Sequence, residues 1–204
     1  MKKEIRAFNF EVRAEQNEEH GHFLTGRPIV YNSRTDIGWY DEIIEQGALE
    51  RTDLRDVRFL VNHNTEMIPL ARSRNNTDGS TMQMIIDEEG MRIRVDLDTE
   101  NNSEARNLYS AVERGDIDGM SFMFVVETET WEDADSDHPT RRIKEIRKVF
   151  EVSAVTFPAY EATTITARGL SEALESVRAS LESERARLHE IEAKRQKIKI
   201  LSEV

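Results

Sequence analysis

Val149-Phe150-Glu151-Val152-Ser153-Ala154-Val155-Thr156-Phe157 is the stretch that decides the fold of this 204-residue chain. β-branched and aromatic residues fill it, and alternation puts apolar side chains on both faces of the strand that it predicts. It ends a run that starts at Ile143, and a strand of that length should contain a turn or bulge near 148–150.

Glu151 is the exception in this run, because alternation places it with Val149, Ser153 and Val155 on a strand that is apolar on both faces. A buried carboxylate must be paired or hydrogen-bonded. A neighbouring imidazole N–H would satisfy it, and an ion pair with Arg147 or Lys148 would serve equally well. The sequence does not separate these two alternatives.

Short strands separated by turn signals continue outward from this stretch on the N-terminal side. Strands are predicted over 5–13, 23–31 (bent or at an edge), 57–63, 68–74, 81–86, 91–98, 120–127 and 143–157, and helices over 41–49 and 103–115. Trp131–Thr140 is expected to be an exposed acidic loop. The pattern predicts a mainly β protein with helices (α+β), built as a closed or nearly closed antiparallel β-barrel with the helices outside.

Composition excludes several classes of function. The chain has 28 Lys and Arg against 40 Asp and Glu, a net charge of −12, which opposes binding to phosphate backbones. It has no cysteine, so disulfides, thiolate metal sites and cysteine catalysis are excluded. No apolar run approaches the roughly 18 residues of a membrane span, and Met1–Arg6 leads into no signal-peptide core.

A change in composition at Gly169 predicts two parts, a body over 1–169 and a tail over 170–204. The tail has no Gly or Pro and contains seven acidic and seven basic residues, so the body carries the whole negative excess. Apolar residues fill six of eight heptad positions in the tail, namely Leu174, Val177, Leu181, Leu188, Ile191 and Ile198. This predicts an amphipathic or coiled-coil helix. Association through the tail is favoured over packing back on the body, because the stripe is narrow.

Two of the five histidines, His138 and His189, lie in polar surroundings and are expected to be solvated. His20 and His22, with Glu18, could bind a metal, but two imidazoles without a convergent third ligand are a weak signal. No metal or cofactor is therefore expected.

His63 and Ser121 are polar residues in apolar settings. His63 is predicted to end a strand and to share its apolar face with Val57, Phe59 and Val61, and the simplest interpretation is a core histidine bonded to a backbone carbonyl. Ser121 follows Gly119 on another strand, and a lone serine there carries little information. With Glu151 the two nevertheless form a Ser, His and carboxylate set on three strands, the components of acyl transfer.

The segments around these three residues, taken together, resemble the tailed-phage prohead proteases, the capsid-maturation serine proteases distantly akin to herpesvirus assemblin. They are Phe59-Leu60-Val61-Asn62-His63-Asn64, Gly119-Met120-Ser121-Phe122-Met123-Phe124 and Glu151-Val152-Ser153-Ala154-Val155-Thr156-Phe157-Pro158-Ala159-Tyr160, and Tyr40–Leu49 is also similar to that family. The resemblance covers roughly 5–167. Met123 departs from the family pattern, where a smaller residue is expected.

The resemblance implies an assemblin-like barrel, with Ser121 as nucleophile, His63 as general base and Glu151 as the residue that orients the histidine. It implies coat protein and scaffolding protein as substrates, self-cleavage, and a homodimer or higher oligomer. It places the protein in the host cytoplasm, inside the immature capsid. The absence of a membrane or nucleic-acid partner is expected from the composition and charge given above.

Two other functions compete with the endopeptidase. In one, the chain is a non-enzymatic capsid-assembly module that oligomerises through its tail, and the three polar residues are incidental. In the other, His20, His22 and Glu18 support metal-dependent hydrolysis.

Overall fold

The computed structural model of the chain describes residues 3–8, 12–19, 21–156 and 167–202. Eleven strands and two helices lie within these residues. They are β1 (Glu4–Phe8), β2 (Val12–Asn17), β3 (Gly21–Val30), β4 (Arg34–Asp36), β5 (Asp41–Ile44), β6 (Asp56–Val61), β7 (Ala71–Arg74), β8 (Met82–Asp87), β9 (Gly90–Asp96), α1 (Ser103–Glu113), β10 (Gly119–Glu132), β11 (Thr140–Val155) and α2 (Ala167–Ser202).

The described strands form two sheets that enclose one main core. The larger sheet has the order β1-β10-β11-β5-β4, and β6 also pairs with β11 and carries β7 at its other edge. The smaller sheet is antiparallel, in the order β2-β3-β9-β8. Large apolar side chains from both sheets, such as Phe59, Phe122 and Met91, are fully buried in the core.

β11 is the central strand of the larger sheet. It pairs with β10 along one edge, while its other edge pairs in parallel first with β5, over Thr140–Ile143, and then with β6, over Glu151–Ala154. The register with β10 shifts where Met123 faces Glu151 and the next residue, Phe124, faces Val149. Phe150 is therefore the extra residue of a bulge, which confirms the irregularity predicted near 148–150.

The described residues confirm the predicted mainly β, α+β class, mostly strands with two helices. The larger sheet is not antiparallel throughout, as the sequence predicted, because β11 makes two parallel pairings. The topology also corrects the helix predicted over 41–49. Residues 41–44 are strand β5, because their backbone pairs with both β4 and β11, and these ladder hydrogen bonds override local propensity.

The strand predicted over 5–13 is divided between β1, which joins the larger sheet, and β2, which joins the smaller one. The strand predicted over 23–31 is bent, since its register slips between Gly26 and Ile29. It is not an edge strand, because β3 lies between β2 and β9.

Helix α1 confirms the clearest helical prediction. Asn102 is its N-cap, with a side-chain oxygen that accepts hydrogen bonds from the amides of Glu104 and Ala105. Ala105, Leu108 and Val112 are its buried face. Gly115, at φ 76°, follows the end of the helix in the left-handed conformation that favours glycine.

Helix α2 includes residues 170–202 of the predicted tail and starts at Ala167, two residues before the predicted change at Gly169. Val177 and Leu181 are buried against Tyr40 and Trp131, so this part of the helix packs back on the body, the alternative that the sequence had favoured less. Trp131 is likewise buried rather than part of an exposed loop. Further along, Ile198 is 67% exposed.

Neither described helix is long and apolar enough to cross a membrane.

A buried network of ion pairs joins β1, β5 and the start of β11, close to the turn that connects β10 to β11. Arg6 contacts Glu42 at 2.6 Å and Glu4 at 2.7 Å, and Arg141 contacts Glu4 at 2.6 Å and Glu42 at 2.9 Å. Tyr40 accepts a hydrogen bond from Arg6 at 3.0 Å. The two guanidinium groups thus bridge carboxylates from two strands that are far apart in sequence.

Charge compensation keeps the carboxylate of Glu4 ionised despite its burial. Burial raises the pKa of Glu4, but hydrogen bonding to Arg141 and the charges of Arg6 and Arg141 outweigh it, so the pKa lies below its ordinary value. Burial also raises the pKa of Tyr40 to about 12, so the phenol stays neutral. The carboxylates thus replace the interactions with water that the buried guanidinium groups of Arg6 and Arg141 have lost.

We expect Glu42→Gln to lower the free energy of unfolding by about 3–5 kcal/mol, because it leaves two buried guanidinium groups short of one negative charge. The matched control is Glu182→Gln on α2, whose carboxylate is 68% exposed beside Arg185. Urea unfolding at neutral pH measures both. Equal, small losses in the two variants would show that the network does not stabilise the fold.

Candidate active site

Glu151 and His63 form a hydrogen-bonded pair at the centre of the site. The Oε1 atom of Glu151 lies 2.7 Å from Nδ1 of His63. Only 3% of the Glu151 side chain and 13% of the His63 side chain are exposed. Lys148 contacts Asp53 instead, and Arg147 contacts Glu127. Of the two partners that the sequence left open for Glu151, the imidazole is therefore the one observed.

The backbone turns sharply after β6 to bring His63 to Glu151. Asn62 and His63 have φ values of 50° and 56°, the left-handed region that non-glycine residues enter at a cost in free energy. The amide of Asn62 donates to the carbonyl of Ala154 at 2.9 Å, and the Asn62 side chain bonds to Thr156. His63 is thus not on the apolar face of the strand, as the sequence predicted, but in a turn held against the end of β11.

Ser153 completes the hydrogen bonding of the pair. Its hydroxyl donates to Oε2 of Glu151 at 2.5 Å and accepts from the backbone amide of His63 at 3.2 Å. Ser153 is fully buried. The sequence did not single it out as a site residue, although the alternation that placed it on the face of Glu151 was the available signal.

Ser121 lies on the same face of the sheet as this group. Its Cα is paired with that of Ser153 across the β10–β11 ladder, and side chains at directly opposed positions share a face. Ser121 is fully buried, and its hydroxyl donates to the backbone carbonyl of Arg6 on β1 at 2.8 Å. The three residues that the sequence proposed therefore lie in one region, with the serine hydroxyl bonded to β1 and not to the imidazole.

Nε2 of His63 is buried and has no hydrogen-bond partner among the described residues. An ionised carboxylate only accepts hydrogen bonds, so pairing with Glu151 places the proton of a neutral His63 on Nδ1 and leaves the lone pair on Nε2. An imidazole held in this tautomer can accept a proton from a hydroxyl and return it to a leaving group. The arrangement therefore has the chemistry that a general base requires.

The metal hypothesis gains no support from the described residues. His20 lies outside them, and Nδ1 of His22 is 2.9 Å from the hydroxyl of Thr99. A different group, Asp36, Asp41 and His138, has ligand atoms close enough for a metal. Asp41 is already bonded to Arg34 at 2.7 Å and to His138 at 3.1 Å, so ordinary ion pairing accounts for it.

Comparison with known proteins identifies the protein family to which the chain belongs. The profile of the Caudovirus prohead serine protease family matches residues 8–176, so the chain belongs to that family. One relative is the prohead protease of Enterobacteria phage HK97, which is 31% identical over 157 residues, 75% of this chain.

The chain spans 63% of the length of the HK97 protein, so that protein has a substantial portion without a counterpart in the match. Among solved structures, the chain is similar to the bacteriophage T4 capsid assembly protease. The TM-score is 0.43 at 12% identity, over 76% of this chain and 97% of that one.

We expect the Glu151→Gln variant to lose the tautomeric preference of His63, because the amide replaces the charged acceptor of the Nδ1 proton. Imidazole ¹⁵N chemical shifts measure this directly. In the unmodified protein they should report protonation at Nδ1, and in the variant a mixture of tautomers. His22, bonded to Thr99, provides an unchanged internal reference in both spectra. The same His63 shifts in both proteins would contradict the pairing.

Proposed function

We propose that the chain is a serine endopeptidase of capsid maturation, with Ser121 as nucleophile, His63 as general base and Glu151 as the residue that orients the imidazole. The observation that carries the proposal is the buried 2.7 Å contact between Glu151 and Nδ1 of His63, which leaves Nε2 available. Membership of the prohead serine protease family supports the reaction class.

The reaction follows from the chemistry of these groups. The Ser121 hydroxyl oxygen attacks the carbonyl carbon of the scissile peptide bond, while its proton passes to Nε2 of His63. Glu151 stabilises the imidazolium through Nδ1–H. The proton then moves from Nε2 to the departing amine as the C–N bond breaks, and water hydrolyses the acyl-enzyme through the same base. Backbone amides close to Ser121 would stabilise the oxyanion.

The described arrangement corresponds to a resting form of this site. The Ser121 hydroxyl donates to the Arg6 carbonyl, so proton transfer to His63 requires the hydroxyl to leave that acceptor. Rotation about one side-chain bond moves a serine between staggered positions. Ser121 is also fully buried, so a substrate can reach it only after the surrounding segments move.

Capsid and scaffold polypeptides are the proposed substrates, and self-cleavage is proposed as well. This substrate class rests on the family, whose name specifies proheads, and on the similarity to the HK97 prohead protease. The site of action would be the interior of the immature capsid. The body's negative charge is compatible with basic substrate segments and disfavours adhesion to DNA.

We expect purified protein incubated at high concentration to shorten itself, and Ser121→Ala and His63→Ala each to stay at full mass. Members of such a catalytic set act as a unit, so each substitution alone should remove nearly all activity. Intact-mass spectrometry over hours measures the products and gives the cleavage sites.

His189→Ala, on the exposed side of α2, is the matched control for His63→Ala and should cut like the unmodified chain. Trimming of the Ser121→Ala variant at the rate of the unmodified chain would mean that Ser121 is not the nucleophile. If every variant stays intact, the comparison is repeated with coat and scaffolding proteins present.

A fluorophosphonate probe, which labels activated serines, should react slowly with the resting protein. The physical reason is the complete burial of Ser121 and its bond to the Arg6 carbonyl. Probe incorporation, measured by mass spectrometry with Ser121→Ala as the blank, should rise when sub-denaturing urea loosens the fold. Rapid labelling in buffer alone would show that the serine is accessible at rest.

A further inference from the structure

We infer that Ser153 is a positioning residue of this site, which fixes both the carboxylate of Glu151 and the backbone of His63. The inference deepens the proposed function and rests on it for its catalytic consequence. The geometry itself does not depend on which residue is the nucleophile.

The hydroxyl of Ser153 closes a ring of three hydrogen bonds. Glu151 holds Nδ1 of His63 through Oε1, Ser153 donates to the other carboxylate oxygen, and the amide of His63 donates to Ser153. With both of its oxygens engaged, the carboxylate plane cannot rotate without breaking one of these bonds. The imidazole is consequently fixed in orientation as well as in tautomer.

The bond to the His63 amide has a second effect, because that amide belongs to a strained turn. Two successive left-handed residues, Asn62 and His63, persist only where surrounding contacts hold them. The Asn62 amide is held by Ala154 on β11, and the His63 amide is held by the Ser153 side chain. Ser153 therefore supports the general base from its backbone side and from its ring side.

Ser153 is distinguished from Ser121 by the direction of its hydrogen bond. Its proton is directed to a carboxylate oxygen, and one of its lone pairs is taken by the His63 amide. Its hydroxyl is thus engaged in both directions within the ring, and it is not bonded to Nε2, which has no partner in the part of the chain that the structure describes. This assigns it to support of the base rather than to attack on a substrate.

The test compares Ser153→Ala with Ser153→Thr, which keeps the hydroxyl, and with Ser73→Ala. Ser73 is an equally buried serine on β7, outside the site, whose hydroxyl contacts Asn76. Cleavage of a peptide that spans the self-cleavage site is measured at a series of concentrations. We expect Ser153→Ala to lower kcat about 10- to 100-fold, the effect of losing a hydrogen bond to a charged group, with KM unchanged. Ser153→Thr should restore most of the rate.

A spectroscopic arm is independent of catalysis. In the Ser121→Ala background, which prevents self-cleavage, imidazole ¹⁵N shifts and the exchange rate of the Nδ1 proton of His63 are recorded with and without Ser153→Ala. The proton should exchange faster when Ser153 is removed and remain protected in Ser73→Ala. A purely structural role would lower the melting temperature without this change.

Each outcome decides the assignment. An unchanged His63 spectrum, or an unchanged kcat, in folded Ser153→Ala would overturn it. Complete inactivity of Ser153→Ala together with activity of Ser121→Ala would overturn it too, since Ser153 would then be the nucleophile. If no Ser121-dependent cleavage occurs, the proposed function fails while the spectrum still decides the role of Ser153. Should Ser153→Ala not fold, Ser153→Cys supplies a similar volume with a weak donor.

Discussion

The register of β11 between its neighbours is the constraint on which the rest of the structure depends. Val152 and Ala154 are core residues, while Glu151 and Ser153 take the opposite set of positions along the strand. Both sets are buried, so a slip of one residue would place Glu151 and Ser153 in the main core and turn Val152 and Ala154 toward His63. The parallel pairing with β6 then brings the turn at His63 to the end of the same strand. Hydrophobic burial thus fixes the hydrogen-bonding geometry of the site.

Features of the fold that depend on residues close together in the sequence could be predicted, whereas features that depend on distant residues could not. Helix α1 and the bulge at Phe150 follow from capping, turn chemistry and strand length, which a few neighbouring residues determine. Strand β5 could not be predicted in this way. Its local sequence favours a helix, but pairing with β11, about a hundred residues further along the chain, makes it a strand. The packing of α2 depends in the same way on an aromatic surface formed by distant residues, Tyr40 and Trp131.

The candidate site also combines features that the sequence predicts with features that depend on distant residues. The pairing of Glu151 with His63 was one of two alternatives, because the sequence shows that a buried carboxylate needs a partner but not which partner reaches it. The turn at Asn62 and His63 was not predicted, although Asn and His are among the non-glycine residues found most often at positive φ, because the alternation of the strand was continued through His63. The hydrogen bonds of Ser153 could not be predicted, because they require the turn that brings the His63 amide to its hydroxyl.

The buried ion pairs and the site meet at Arg6. Its guanidinium is held by Glu4 and Glu42, while its backbone carbonyl accepts the hydroxyl of Ser121. Rotation of a serine from one acceptor to another exchanges one hydrogen bond for another and costs little. Displacing β1 would cost much more free energy, because it would separate buried charges from their partners. For the proposed nucleophile, the low-cost step is therefore rotation of the side chain while β1 stays in place. Under the proposed function, substrate would therefore approach on the face that Ser121 shares with His63 and Ser153, and the segments that bury this face would have to move while β1 stays in place.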